Sequence, residues 1–186
     1  MPKYCLHTLL KRQLKNGSND LVTRKSGQAI RECIEKDIKK EKTGAVIVLD
    51  FSKIGIVDYS CADEIAAKLI SRLIGGEYGE KFILLSGLNE SQKENIEVAL
   101  ERKGLAVMAG MRDGKRMLIG NLSNYLVETL NLISNKSGIT ASDLSSALKL
   151  PANTSGTRLL NLYKKRLVKR FDEMRNGGRV WVYEKV

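Results

Sequence analysis

The feature that most limits how this chain can fold is an unbroken apolar run, Ala45-Val46-Ile47-Val48-Leu49, ending in the carboxylate of Asp50. Three of its five residues are β-branched, so the run reads as a strand buried on both faces, of the kind found in sheets flanked by helices. After Phe51-Ser52 a short loop carries Asp58, Tyr59 and Ser60. From Ala62 the apolar residues recur at Ala62, Ile65, Ala66, Leu69 and Leu73, which is one stripe of a helix. A strand entering a helix through so short a loop leaves free backbone N–H groups beside Asp58 and Ser60, where anions and side-chain oxygens are stabilised.

The surrounding chain repeats the alternation. Lys15-Asn16-Gly17-Ser18-Asn19-Asp20 is a turn signal, and Leu6, Leu9, Leu10 and Leu14 before it outline a short helix. Leu21-Val22-Thr23 reads as a short strand. Ser26 is placed to cap a helix with apolar positions Ala29, Ile30, Cys33, Ile34 and Ile38, ended by Glu41-Lys42-Thr43-Gly44. Lys81–Leu85 is a second buried strand, and Ser91-Gln92-Lys93-Glu94 reads as a capping box opening a helix that Gly104 closes. Asp113-Gly114 joins Leu105–Met111 and Arg116–Ile119 as a hairpin. Strands alternating with helices predict an α/β domain over residues 1–120 with helices packed on a mixed sheet.

The phrase Leu49-Asp50-Phe51-Ser52, followed by Asp58-Tyr59-Ser60-Cys61 opening a helix at Ala62-Asp63-Glu64, resembles the STAS family, the sulfate-transporter and anti-sigma-factor-antagonist domains. The resemblance spans about residues 20–110. It departs from the family pattern at Tyr59, where a Ser stands, and at Cys61, where a Gly stands. It implies a signal-receiving or partner-binding domain, with Ser60 at the position of the family's phosphoacceptor and Asp58, Ser60, Asp63 and Glu64 forming a partner loop. The residues themselves leave a second meaning open, in which Asp58 or Ser60 simply caps the helix and the acids sit in its first turn because the helix dipole favours them there.

Beyond Gly120 the pattern changes to helices. Ser123 is placed to cap a helix through Leu126, Val127, Leu130 and Ile133. Thr140 and Asp143 form a capping box, and a third helix begins at Asn153 or Thr154 and runs to about Lys169. Asn176-Gly177 then joins Phe171–Met174 to Val180–Tyr183 as a hairpin. Three helices and a hairpin over residues 122–186 resemble the winged helix-turn-helix superfamily, which implies double-stranded DNA as partner and commonly a homodimer on two half-sites. Charge agrees: from Asn121 onward eleven basic residues face five acidic ones, a net of +6, more than half of the chain's net +11. On the third helix, Leu160, Tyr163 and Leu167 are expected to face the core. Thr154, Arg158, Asn161, Lys165 and Lys169 are expected on the outer face, and Ser155 and Lys164 complete the proposed contact set. Arg175 and Arg179 flank the hairpin tip, where a wing would touch the DNA backbone.

Other function classes find little support. No run approaches the roughly 18 apolar residues a membrane span needs, and no leader pattern opens the chain, so a soluble cytoplasmic protein is expected. Cys5, Cys33 and Cys61 are odd in number and lack a Cys-x-x-Cys spacing, which argues against disulfides and zinc. His7 is the only histidine, no phosphate-binding Gly-x-x-x-x-Gly-Lys loop occurs, and no cofactor or catalytic constellation is evident, so a non-enzyme is expected. The expectation is a DNA-binding transcriptional regulator with a STAS-like receiving domain. The alternative is a regulatory module in which both domains bind protein partners.

Overall fold

A computed structural model describes residues 1–13, 18–134, 138–175 and 177–186. The chain forms two compact units, Met1–Asn121 and Leu122–Val186.

The first unit is a five-stranded mixed sheet with strands in the order β1-β2-β3-β4-β5. These are β1 (Lys3–Cys5), β2 (Val46–Asp50), β3 (Phe82–Leu88), β4 (Ala106–Met111) and β5 (Arg116–Gly120). The first four run parallel, and β5 returns antiparallel to β4. Between β1 and β2 lie α1 (Leu6–Gln13) and α2 (Arg24–Ile38), and between β3 and β4 lies α5 (Glu90–Glu101). Between β2 and β3, α3 (Tyr59–Ala62) runs without a break through a π-helical segment, Asp63–Lys68, into α4 (Leu69–Ile74). Right-handed crossovers between neighbours taken in order put the helices on one face of the sheet. The core follows from that placement: Ile47, Leu49, Ile83, Leu85, Val107 and Ala109 meet Ile30, Ile34, Ile65, Leu69, Ile96 and Leu100 from the helices. Two-residue periodicity sends Val46, Phe82, Leu84 and Met108 to the opposite face.

Several boundaries differ from the expectation. Lys3–Cys5 pairs with β2 as an edge strand; three residues, one charged, give no periodicity to detect. Leu21-Val22-Thr23 is not a strand: Leu21 makes one isolated parallel bridge to Val57, and Thr23 turns into the cap of α2. The Thr23 hydroxyl accepts from the Ser26 N–H, so Ser26, expected to be the cap, lies inside the first turn and is buried. The capping box of α5 is formed by Asn89 and Gln92, two residues ahead of the expected start at Ser91. Asn caps as well as Ser, and its amide is already bound to that geometry by the reciprocal Gln92 contact. The expected turn at Lys15–Asp20 and the end of the first helix at Leu14 fall partly outside the described residues.

In the second unit, α6 (Asn124–Ser134) is followed by Ile139, which makes an antiparallel bridge to Tyr183. Then come α7 (Ala141–Leu148), α8 (Ala152–Lys164) and the hairpin β6 (Val168–Arg175) and β7 (Gly178–Lys185). Leu126, Leu130, Ile133, Ile139, Leu144, Leu159, Leu162, Val168 and Val182 are buried. Thr140 and Asp143 form the capping box of α7. That helix stops at Lys149, whose left-handed backbone (φ 52°) turns the chain into Pro151 and α8.

α8 begins one or two residues before its expected start and ends five residues before its expected end at Lys169. The Leu167 N–H donates to the Leu162 carbonyl and the Arg166 N–H to the Tyr163 carbonyl, while Arg166 adopts φ 61°. This is a Schellman stop with arginine at the left-handed position. Leu167 continues the apolar rhythm because it folds back onto the core after the stop, which is why periodicity alone overran the helix.

Candidate nucleic-acid interface

The core-facing side of α8 is Ser155, Leu159 and Leu162, all fully buried. The helix is thus rotated by one residue, about 100°, from the expected register. Adjacent apolar pairs, Leu159-Leu160 and Leu162-Tyr163, made the two registers equivalent by pattern. Four expectations change with it. Ser155 is 0% exposed and does not reach a partner surface. Leu160 and Tyr163 are only partly buried instead of core. Lys169 is not on the helix but on β6. The outward face is now Asn153, Thr157 and Lys164, with Thr154 beside them and Leu160 and Asn161 partly open.

Arg158 is held within the unit. Its Nη1 donates to Glu128 Oε2 on α6 at 2.9 Å, its guanidinium lies 5.3 Å from the Tyr125 ring centroid, and its side chain is 16% exposed. It therefore fastens α8 to α6 and is not an open base reader. Tyr125, Asn153, Thr154, Thr157, Arg158 and Asn161 line a shallow groove between the two helices.

Positive charge gathers where α8 ends. Lys164, Lys165, Arg166, Lys169 and Arg170 lie within seven residues that contain no acid. On the hairpin the two expected wing arginines stand beside acids. Arg175 Nη2 donates to Glu173 Oε2 at 3.0 Å, and Arg179 Nε is 3.5 Å from Asp172 Oδ2 with four fifths of its side chain open. Asn176, at the expected tip, lies outside the described residues; Gly177 is in the left-handed region (φ 78°), as a tight turn requires. Sequence reasoning missed the aromatic part of this surface: Arg170 lies 4.4 Å from the Tyr163 ring centroid and 4.1 Å from that of Trp181. The signal was present in the alternation of the hairpin, which sets a Trp opposite a polar residue, Asp172.

The acids singled out in the first unit have a different place. Asp58 caps α3, its Oδ1 accepting from the Cys61 N–H and from the Ser60 hydroxyl, both at 2.8 Å. Asp63 and Glu64 are buried, Glu64 to 1% exposure, and are not part of an open loop. Arg24 Nη1 reaches both, at 2.9 Å each. Glu64 also receives Arg31 Nε at 3.1 Å and Lys68, and Asp63 meets Lys103 Nζ at 2.7 Å. Arg31 continues to Glu35 at 2.6 Å, where Arg72 and the Tyr78 hydroxyl also donate. Burial works to raise the carboxyls of Glu64, Asp63 and Glu35, but the surrounding donors overcome it and hold all three below the usual carboxylate range. Burial and the Glu35 bond push the Tyr78 hydroxyl up. The network joins α2 to the π-helical segment, and Gly27 allows the close approach: a Cβ there would lie 2.9 Å from the Cys61 Cα. Cys61 itself is fully buried, and burial pushes its thiol up. Among the described residues, no group of three or more His, Cys, Asp and Glu side chains is placed to hold a metal ion. No helix among them is long and apolar enough to cross a membrane.

Comparison with known proteins returns no matching family model and no similar curated protein.

Proposed function

We propose that this protein is a DNA-binding regulator, in which residues 122–186 act as a winged helix-turn-helix reader and residues 1–121 as a STAS-like domain that receives a protein partner. The observation that carries the reading is the element order of the second unit: helix, bridged residue, helix, helix, hairpin, with Ile139 paired to Tyr183 so that the hairpin gains a third strand position. In a helix-turn-helix the second of the consecutive helices enters the major groove. Asn153, Thr157 and Asn161 offer the polar base-edge contacts, and Lys164, Lys165 and Lys169 the phosphate contacts.

For the first unit, support comes from the strand-loop-helix geometry around Asp58 and from two apolar side chains beside it. The parallel Leu21–Val57 bridge sets Val22 alongside Asp58 and Ile56 alongside Asp20, and both apolar side chains are about half exposed. Open apolar side chains near a capped helix start favour a protein partner at this loop, without phosphorylation of Ser60, whose hydroxyl is already bonded to a carboxylate that would repel a phosphate.

The test is binding of the whole chain to random-sequence duplex DNA over a salt series. Affinity should fall steeply with salt, by a slope of roughly −0.9 for each phosphate neutralised. Absence of binding at about 10 µM protein in low salt, where non-specific association is already expected, would overturn the assignment.

A further inference from the structure

The hairpin carries an ordered aromatic surface that contact with an intact duplex leaves without a partner. Arg170 is clamped between Tyr163, at the end of α8, and Trp181, on β7, at 4.4 and 4.1 Å from their ring centroids. The register places Arg170 opposite Tyr183 and Asp172 opposite Trp181, so Arg170 and Trp181 share one face of the hairpin, joined there by Met174 opposite Arg179. Trp181 is 50% exposed and Met174 more so. The indole is therefore held by a guanidinium on one side while half of its surface stays in water. A guanidinium over a ring fixes the ring's orientation, and a ring already oriented loses little freedom when a second flat group stacks on it. Arg170 and Arg179 share this face with it, and Asp172, opposite Trp181, is paired to Arg179 at 3.5 Å.

A nucleobase is the flat group this arrangement suits. Every base has a π face, and stacking on an aromatic side chain is tolerant of sequence when cations nearby hold the phosphates. In a continuous duplex those faces are covered by neighbouring base pairs, so the indole finds one only where stacking is interrupted. We propose that Trp181 is a stacking platform for an unpaired base, and that the protein prefers DNA containing an unpaired nucleotide to the same duplex without one. This rests on the DNA-binding reading above.

Trp181 is the chain's one tryptophan, so its fluorescence reports this position alone. The whole chain is titrated with a blunt duplex of about thirty base pairs and with the same duplex carrying a bulge of a few unpaired thymines. Stacking of one base on an aromatic ring corresponds to a gain of roughly five- to 150-fold. The bulged duplex should therefore bind at least about fivefold more tightly and quench the emission. Trp181→Ala should erase the preference while leaving affinity for the plain duplex within about twofold, and Trp181→Phe should keep part of it. Equal affinity for the two duplexes, or a Trp181→Ala variant that weakens both alike, overturns the platform and leaves the DNA-binding reading intact. Failure to bind either duplex at low salt overturns that underlying reading.

Discussion

Glu64 shows how a residue can look like part of a contact surface and turn out to be internal structure. Its position in the first turn after Asp58 suggested an open acid, and in the fold it receives Arg24, Arg31 and Lys68. Removing one partner of a buried pair leaves the other uncompensated. Glu64→Gln is expected to destabilise the first unit by about 3 kcal/mol in urea unfolding, more than a surface substitution could. The same carboxylates set the pH dependence. Their folded values lie below their unfolded ones, so their stabilisation is fully present above the ordinary carboxylate range near about pH 4 and is lost as pH falls through the lower folded values. The melting temperature by circular dichroism should hold from neutral pH to about 5 and drop below about 4, and Glu64→Gln should flatten that drop. Gly87 belongs at this scale too. It interrupts the register of β3 at a φ of 72°, and a Cβ there would come within 2.9 Å of the Ser52 backbone. Gly87→Ala should cost stability both by steric overlap and by strain, measured by the same unfolding experiment.

Among the elements, α8 separates what a sequence discloses from what it withholds. Its existence, and its start to within two residues, were legible in the sequence, as were the buried strand at Val46–Asp50 and the Thr140–Asp143 cap. Its rotation did not, because Leu159-Leu160 and Leu162-Tyr163 offer two apolar faces one residue apart, and only contact with α6 and the hairpin chooses between them. Its end did not either, since the stop uses Arg166 where a glycine would have been conspicuous. The Asp63–Glu64 network was hidden for a related reason: apart from Lys68, its cations Arg24, Arg31 and Lys103 are distant in sequence. The correction of register changes the expected mutational pattern. Arg158→Ala should lower the thermal stability of the second unit while leaving the salt slope of DNA binding nearly unchanged, because the side chain is spent on Glu128 and Tyr125. Lys164→Ala and Lys169→Ala should each reduce that slope by about one with little effect on melting.

At the scale of the whole molecule, the two units differ in charge and in exposed apolar surface. The net +6 from Asn121 on favours a polyanion there, and the exposed Val22 and Ile56 favour a protein contact on the first unit. Ile56→Asp should abolish partner capture by the whole chain while leaving DNA affinity as it was, measured by co-purification and by DNA titration in parallel.

The strand order β1-β2-β3-β4-β5 has a bearing on how the chain is made. Each strand hydrogen-bonds the one that precedes it in sequence, so no strand has to be inserted between two that are already paired. During synthesis the sheet can grow by one edge at a time as each helix and strand leaves the ribosome. The gaps between partners shorten along the chain, from 40 residues between β1 and β2 to four between β4 and β5, so the loop-closure entropy falls from step to step. The unit is complete once Asn121 has emerged, and the basic helix and hairpin are made only after a folded neighbour is already attached to them.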